Sequence, residues 1–514
     1  MSRHIAVLGG GLTGLSSAFH LSRRFPRARV TLIERQKQLG GWVRSEMIKL
    51  PGKDASVVLE AGPRTLRPNA NSVLELINLL GLKDQVITVP KTSEAAKSRY
   101  LYVPPAYGDS ISGLQRIPTS ILSALRSPLT RILGPAVLQE VFKFNNKPDG
   151  LKDESVDAFL RRRFGDGFAQ VFGSALIHGI YAANSRKIGI RSAFPGMWDA
   201  AERGWGSLIR GELMPGKKPA QQDYETGDIV QLMSGASVYS FKDGLQALTN
   251  ALEEHLVKQG NVEILRGATV SSIDIQSAKV EVNLEDGTSL LPSHVTSALP
   301  THLLYRALSP SLRSLKPFDH LLANPTSSVH VVNIVFPGPP STLHPAGFGY
   351  LIPRPPQGYP STSDEGPSIL GTVFDACSLG AQDTTSSGKF GYTDAEFTKL
   401  TVMVGGPYPL PKLPSQLSSD NDTGTPDYIQ NILKQLSTHL SRTLPAPIYW
   451  RIQPNQDCIP TLLPGHGERM TELRSLLAEK FGGRLQVVGA GVGGVSVGDC
   501  VEAGRKAALE APSD

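Results

Sequence analysis

The stretch HIAVLGGGLTGLSSAFHLSRRFPRARVTLIER, residues 4 to 35, constrains the fold more than any other part of the chain. Its apolar run Ile5 to Leu8 has β character, Leu12 to Phe25 is amphipathic, and Val30 to Ile33 is a second apolar run, so the order reads strand, helix, strand. Between the first strand and the helix, Gly9, Gly11 and Gly14 form GxGxxG, with Gly10, Leu12 and Thr13 completing the turn. The first glycine permits a tight turn, the second lets backbone approach a pyrophosphate, and the third lets helix and strand pack closely. Phosphates then sit on the helix N-terminus. Glu34, with Arg35 after it, stands twenty residues past Gly14, where a carboxylate accepts from ribose hydroxyls. The expectation is a βαβ dinucleotide-binding unit; the bland alternative is a glycine-rich loop beside a structural acid.

A length of 514 residues allows about three domains of roughly 150 residues each, and a hydrophobic content of 40% is ordinary for a globular chain. The net charge of +6 is spread along the chain rather than gathered in a tail. Such a surface suits an anionic small molecule or anionic lipid, and no nucleic-acid-binding motif accompanies it, so no nucleic-acid partner is expected. Cys377, Cys458 and Cys500 are far apart and lack CxxC spacing. Neither a disulfide framework nor a metal site is expected, and a reducing or redox-neutral compartment is favoured. The first strand starts near residue 4, which leaves the expectation of no cleavable presequence. No apolar run reaches the roughly eighteen residues of a membrane span, so membrane contact is expected to be peripheral or monotopic.

Along the chain, QLGGWVRSE (38–46), VVLEAGPRTLRP (57–68) and a helix from Asn71 continue the nucleotide-binding domain. Residues 99–212 change character, with TSILSALRSPLTRILGPAVLQEVF and DAFLRRRFGDGFAQVFGSALIHGIY reading as helices broken at Pro118, Pro128 and Pro135. Leucines and isoleucines alternate there with arginines, as on a basic amphipathic surface for a bilayer or as on a helical domain with solvated arginines. From Phe241 a helix (Gly244 to Val257) leads into the strands VEIL, TVSSIDI and KVEVNL, then HVTSAL, with EDGT closing a hairpin. Strands SSVHVVNIVF, SILGTVF and KLTVMVGG follow, linked by Pro/Ser/Gly-rich stretches at 337–346, 353–367 and 409–426 that read as surface loops. The C-terminal RLQVVGAGVGGVSVGDCVEAGRKAA (484–508) is again strand, glycine turn and helix. Too little chain follows for a second βαβ, so it must fold back onto the first domain.

A chain that leaves its nucleotide domain and returns at the end with one strand and one helix resembles the flavin-containing amine oxidase superfamily. Within it, LGGWVRS, EAGPRTLRP, KSRYLYV, GIYAANSRKIGIRSAFP, GFGYLIP and GDCVEAGRKAA resemble the protoporphyrinogen oxidase family in order over nearly the whole chain. The chain departs from that pattern after Cys458, where IPTLLPGH replaces an expected Gln-Tyr pair, and in longer proline-rich loops. The resemblance implies an α/β fold: a discontinuous Rossmann-type FAD-binding domain (1–88, 237–300, 481–514), an α+β substrate domain (301–480, with 89–98 and 213–236 as connections) and a mostly helical membrane-associating domain (99–212).

It implies noncovalent FAD, held at the pyrophosphate by Gly9, Gly11 and Gly14 and at the ribose by Glu34. Gly41, Trp42, Gly62, Pro63, Arg64 and Thr65 would approach the flavin's sugar-like chain or ring. Val270 would meet the adenine through its backbone. Ala490, Val495, Ser496 and Val497 would reach the isoalloxazine and set a helix N-terminus beside it, which favours the anionic reduced flavin. On the substrate side the resemblance assigns Arg99 to a propionate, which a guanidinium can grip bidentately, and Ala182, Phe348, Gly349, Leu351 and Met403 to the tetrapyrrole pocket. Without it, Phe348 and Met403 read as core and Arg99 as a solvated strand-end arginine.

The implied reaction is the six-electron oxidation of protoporphyrinogen IX to protoporphyrin IX in three two-electron turns, with molecular oxygen reduced to hydrogen peroxide, the penultimate step of heme biosynthesis. No Ser/His/Asp set, paired carboxylates or base is legible, so the flavin would carry the chemistry while the protein orients and desolvates. The inner mitochondrial membrane is the implied location, with a homodimer and a contact with ferrochelatase as further expectations. Rival readings are another amine oxidase or a carotene desaturase, and a non-catalytic FAD-bearing protein.

Overall fold

The computed structural model describes residues 3–142, 146–216, 223–276, 279–363, 368–385, 388, 391–420 and 424–512. Parts of two proline-rich links, 364–367 and 421–423, lie outside the described residues.

The opening motif folds as read, with strand His4–Leu8, helix Leu12–Arg24 and strand Arg29–Glu34. They belong to a five-stranded all-parallel sheet ordered Leu485–Val487, His294–Ser297, His4–Leu8, Arg29–Glu34, Val262–Arg266. A parallel sheet is covered on both faces, and the side chains of one strand show it. Ile5 and Val7 enter a core with the helices Leu12–Arg24, Gln246–Lys258 and Val497–Glu510. Ala6 and Leu8 enter another with the Val270–Leu290 hairpins and the helix His466–Phe481. The chain's last strand and helix therefore complete the first domain, and Ser16 donates from the first helix to the Val501 carbonyl of the last (2.8 Å). Asp286–Gly287 closes the expected hairpin, with Gly287 at φ +88°.

The substrate-side sheet has seven strands, ordered Tyr449–Pro460, Thr326–Pro337, Phe397–Gly405, Ile369–Val373, Gly349–Leu351, Tyr100–Val103, Gly113–Arg116. One face packs on the helix Asp427–Leu440. The other faces the flavin-type domain across a polar seam. Buried Lys399 donates to Asp383 (2.6 Å) and to the Val58 carbonyl (2.8 Å), Asn455 donates to the Ala61 carbonyl (2.8 Å), and Arg451 donates to the Leu59 carbonyl (3.2 Å). These bonds fix the sheet against strand Ser56–Glu60 and the chain that follows it.

Two expectations need correction. The segment 99–212 does not stand wholly apart as a mostly helical domain, because Tyr100–Val103 and Gly113–Arg116 join the seven-stranded sheet, the second as its edge. Alternation decides it: Leu101 and Val103 face the helices while Tyr102 faces the opposite core. Pro135 does not break a helix either, since Thr130–Phe142 runs through it. Both Pro135 and Arg131, whose carbonyl would lose its bond there, are exposed, so water can satisfy the released acceptor. Pro118 and Pro128 do lie between elements.

Candidate active site

The phosphate end is built by steric exclusion. A Cβ on Gly14 would lie 1.8 Å from the Gly9 carbonyl oxygen, and Gly9 itself sits at φ +96°. Only glycine allows that contact. Gly11 is the helix N-cap; a methyl group there would meet nothing within 4 Å, and no side chain or first-turn acid caps the helix. Uncapped first-turn N–H groups behind open space are what a pyrophosphate requires. Leu12 and Thr13 are buried in that first turn, and a Cβ on Gly10 would meet Glu34 and Leu39. Glu34 accepts from the N–H groups of Gly10 (2.7 Å) and Gln36 (2.8 Å), which pins its carboxylate beside the turn; Arg35 is exposed.

Three further turns converge on this one. The Gly40 N–H donates to the Gly10 carbonyl (2.8 Å), and Gly41 follows at φ +61°. A Cβ on Gly62 would lie 2.4 Å from the Trp42 carbonyl oxygen, so the LGGW and EAGPRT turns touch through backbone. Arg64 is buried after Gly62 and Pro63, whereas Thr65 is half-buried. The Val270 end of its strand hangs from the Glu34 turn, with Ala268 donating to the Glu34 carbonyl (3.0 Å) and Gly267 to that of Gln36 (3.2 Å). In the C-terminal turn, Gly489 precedes Ala490 and lies against Thr13, Val495 packs on the helical region, and Val497 packs on the first core. Ser496 caps the last helix in a capping box with Asp499 (2.7 Å between Oγ and Oδ2). The dipole expected to face the flavin therefore carries an acid in its own first turn, which weakens it.

On the substrate side, the strand register places several expected residues in one row. Leu351 pairs with Gly371, Gly371 with Met403 and Met403 with Val331. Gly371 between two larger residues makes a trough, over which Leu351 leans; it also covers Gly179 of the helix Ser174–Tyr181. Ala182 ends that helix at φ +45° and shares a cluster with Met403, Tyr359 and Tyr408. Gly349, at φ +143°, lies so close to Thr372 that a Cβ would sit 2.2 Å from its carbonyl oxygen, which makes it a backbone requirement as much as a pocket residue. Phe348 belongs to a separate small cluster with Val89, Ala95 and Val238. Arg99 reaches its ring, with the guanidinium carbon 6.0 Å from the centroid. Arg99 is exposed, and partial desolvation and then Arg67 draw its pKa below the ordinary arginine value.

Sequence reasoning missed the groups that tie the two sides together. Asp375, just after a strand of the sheet, accepts from Arg64 and from the Thr401 hydroxyl; the signal for Thr401 was the strand alternation that puts it on the same face as Met403. Glu60 is buried beneath the EAGPRT turn, where burial raises its carboxyl to about 7 although Ser45 and the Leu245 N–H donate to it. The thiol of Cys500 is pushed up to about 11 by burial, which leaves it a poor nucleophile for covalent attachment of a cofactor.

Comparison with known proteins decides the class. A family model described as flavin containing amine oxidoreductase matches residues 12–511. The chain belongs to this family. It is 31% identical to the protoporphyrinogen oxidase of Schizosaccharomyces pombe and 32% identical to that of Homo sapiens, in each case over 99% of this chain and 98% of the relative. A solved structure from Exiguobacterium sp. 255-15 shares the fold, with a TM-score of 0.71 at 20% identity, covering 99% of this chain and 98% of that one. The protein is thus an FAD-dependent oxidoreductase, and the cradle fits the group: uncapped helix, glycines that admit no Cβ, and an acid at the ribose end.

Proposed function

We propose that this protein oxidises protoporphyrinogen IX to protoporphyrin IX, with molecular oxygen as the final acceptor. FAD, when bound, would supply the hydride-accepting chemistry. The chain's own residues bind, orient and exclude water. Arg99 holds a propionate at the rim, Phe348 lies beneath its guanidinium, and the Leu351–Gly371–Met403 row with Ala182 offers an apolar wall for pyrrole rings. The observation that carries this reading is the pairing of an arginine with an aromatic face (6.0 Å) at the same end of the sheet that grips the flavin-side arginine. Polar groups beside the wall are held by bonds that orient them. His178, for example, donates from Nδ1 to the Ile352 carbonyl (2.7 Å) and accepts at Nε2 from Tyr359 (2.7 Å), and burial lowers its pKa to about 4.

The test is anaerobic reduction of the purified yellow protein by protoporphyrinogen IX, by its dimethyl ester and by coproporphyrinogen III, which carries four propionates. Fast bleaching by the first and slow bleaching by the ester support the reading. Equal rates for acid and ester remove the propionate anchor, and a preference for coproporphyrinogen III reassigns the substrate.

We further propose attachment to an anionic bilayer, the inner mitochondrial membrane by family resemblance. Among the described residues no helix is long and apolar enough to cross a membrane. The helices Ile121–Arg126, Thr130–Phe142 and Leu208–Leu213 expose Leu125 (70%), Leu138 (59%) and Leu213 (82%), and Trp205 (69%) is exposed just before the last of them in the chain. Exposed apolar groups with arginines nearby suit an interfacial, monotopic seat. Co-sedimentation with anionic vesicles should fall sharply when Leu125, Leu138 and Leu213 are replaced together by Ser; unchanged binding would move the contact elsewhere.

A further inference from the structure

The sheet reaches the flavin cradle through one buried ion pair. Asp375 opens a short helix just after strand Ile369–Val373, and its Oδ1 accepts from Arg64 Nη1 at 3.1 Å, with Oδ2 at 3.4 Å. Both side chains are nearly fully buried, at 6% and 5% exposure. Arg64 Nη2 is buried with no partner. A buried guanidinium N–H left unpaired costs on the order of 1–3 kcal/mol, so the fold keeps it aimed at something. Asp375 Oδ2 accepts from the Thr401 hydroxyl, whose oxygen accepts from Asn333 (2.9 Å), which in turn accepts from Arg451 (3.1 Å). Thr401 is two residues before Met403 on one strand, so both project from the same face, roughly 6–7 Å apart. The wall row and the Arg64-holding row are neighbours.

We propose that Asp375 is a positioning residue for the flavin: from the substrate sheet it holds Arg64, with its free Nη2 toward the cofactor, and through that guanidinium sets how strongly the site favours the reduced form. This rests on the flavin assignment and not on the identity of the substrate. A cation near a cofactor that becomes anionic on reduction favours the reduced state, and the Asp375 carboxylate offsets part of that cation's field. Asp375→Asn keeps an oxygen to accept from Arg64, turns the other position into an N–H donor to the Thr401 hydroxyl, and removes the offsetting charge. Thr401→Val does the opposite, since the carboxylate loses a donor and its charge falls more fully on Arg64.

The experiment is a redox titration of the FAD-loaded proteins against reference dyes, without substrate, followed by flavin absorbance. Asp375→Asn is expected to raise the potential, with the reduced form favoured about tenfold more, which for a two-electron couple is about 30 mV. Thr401→Val is expected to lower it by less than tenfold. Opposed shifts support the proposal, because loosened packing alone would not give opposite signs. Unchanged potentials, or shifts of one sign, with FAD retained overturn it. If Asp375→Asn fails to retain FAD, Thr401→Val decides: a downward shift supports the proposal and no shift overturns it. Failure of the tetrapyrrole assignment would leave these potentials untouched.

Discussion

Replacing Arg99 by Ala removes the anchor on which the substrate reading depends, and the structure narrows how much that should cost. A charge-assisted hydrogen bond contributes about 1.5–3 kcal/mol, or roughly ten- to a hundredfold in binding. Arg99 is exposed and stands at the end of a strand, where water screens the interaction. Phe348 on one side and the neighbouring Arg67 act the other way, because a partly desolvated cation beside a like charge gains more from a carboxylate. We therefore expect the low end, about tenfold weaker half-saturation in anaerobic stopped-flow reduction by protoporphyrinogen. The limiting rate of flavin reduction should also fall, since a macrocycle that can rotate in its slot spends less time with a methylene bridge presented to the flavin. FAD content and melting temperature should not change, because Arg99 touches neither the cradle nor the seam. Arg99→Lys should restore charge but not the bidentate fork. Wild-type rate and half-saturation in Arg99→Ala would make it a surface arginine and refute the pocket map.

Gly62→Ala should abolish FAD retention in a folded protein, because the new Cβ would stand 2.4 Å from the Trp42 carbonyl and push the LGGW and EAGPRT turns apart; a yellow variant would refute it. Deletion of 484–514 removes the strand Leu485–Val487 and the last helix from the first domain, and the purified product should show no flavin absorbance. Burial lowers His20 to about 3 and His178, His294, His344 and His439 to about 4, below their unfolded values, so their stabilisation is lost as pH falls from about 6.5 toward 4. Melting temperature should drop steeply over that window; a flat profile would mean these rings are hydrated. Glu60 has the opposite sign: its pKa is raised to about 7, so its contribution of about 3 kcal/mol is complete below pH 4.5 and lost as pH rises through 7. Five histidines outweigh one acid below neutrality, and Glu60→Gln should therefore steepen the rise of stability between pH 5 and 7 by about one proton.

The parts of the fold legible in the sequence are those in which one short-range rule decides. GxGxxG with its flanking strands is legible because its tightest requirement is local: Gly14 answers the Gly9 carbonyl five residues before it. Asp-Gly in EDGT fixed a hairpin for the same reason. The strand Tyr100–Val103 was grouped with the helical region because a four-residue run of aromatic and apolar residues before it carries too little periodicity to say which sheet it joins, and its partner Gly349–Leu351, far along the chain, is what ties it to the substrate-side sheet. Pro135 misled because a proline's cost depends on whether water can reach the carbonyl it orphans, which is a property of the fold.

The site divides along the same line. The flavin cradle is made of turns whose residues announce their backbone needs, and the resemblance assigned Gly41 and Gly62 to one cofactor, on turns that touch where Gly62 meets the Trp42 carbonyl. The coupling between cradle and wall is different in kind. Arg64 and Asp375 are 311 residues apart, and the alternation of Thr401 with Met403 says which face they share but not what meets that face. What meets it is Arg64, through an acid on a different element. A buried charge pair across a domain seam is costly to desolvate and is weak evidence for stability, and Lys399–Asp383 already locks this seam a few residues away. A second buried pair that leaves one of its N–H groups unpaired adds little to that lock. Its retention is better explained by what the free N–H faces, which is why the test that distinguishes a clamp from a tuning device is a potential measured with opposed variants rather than a melting curve.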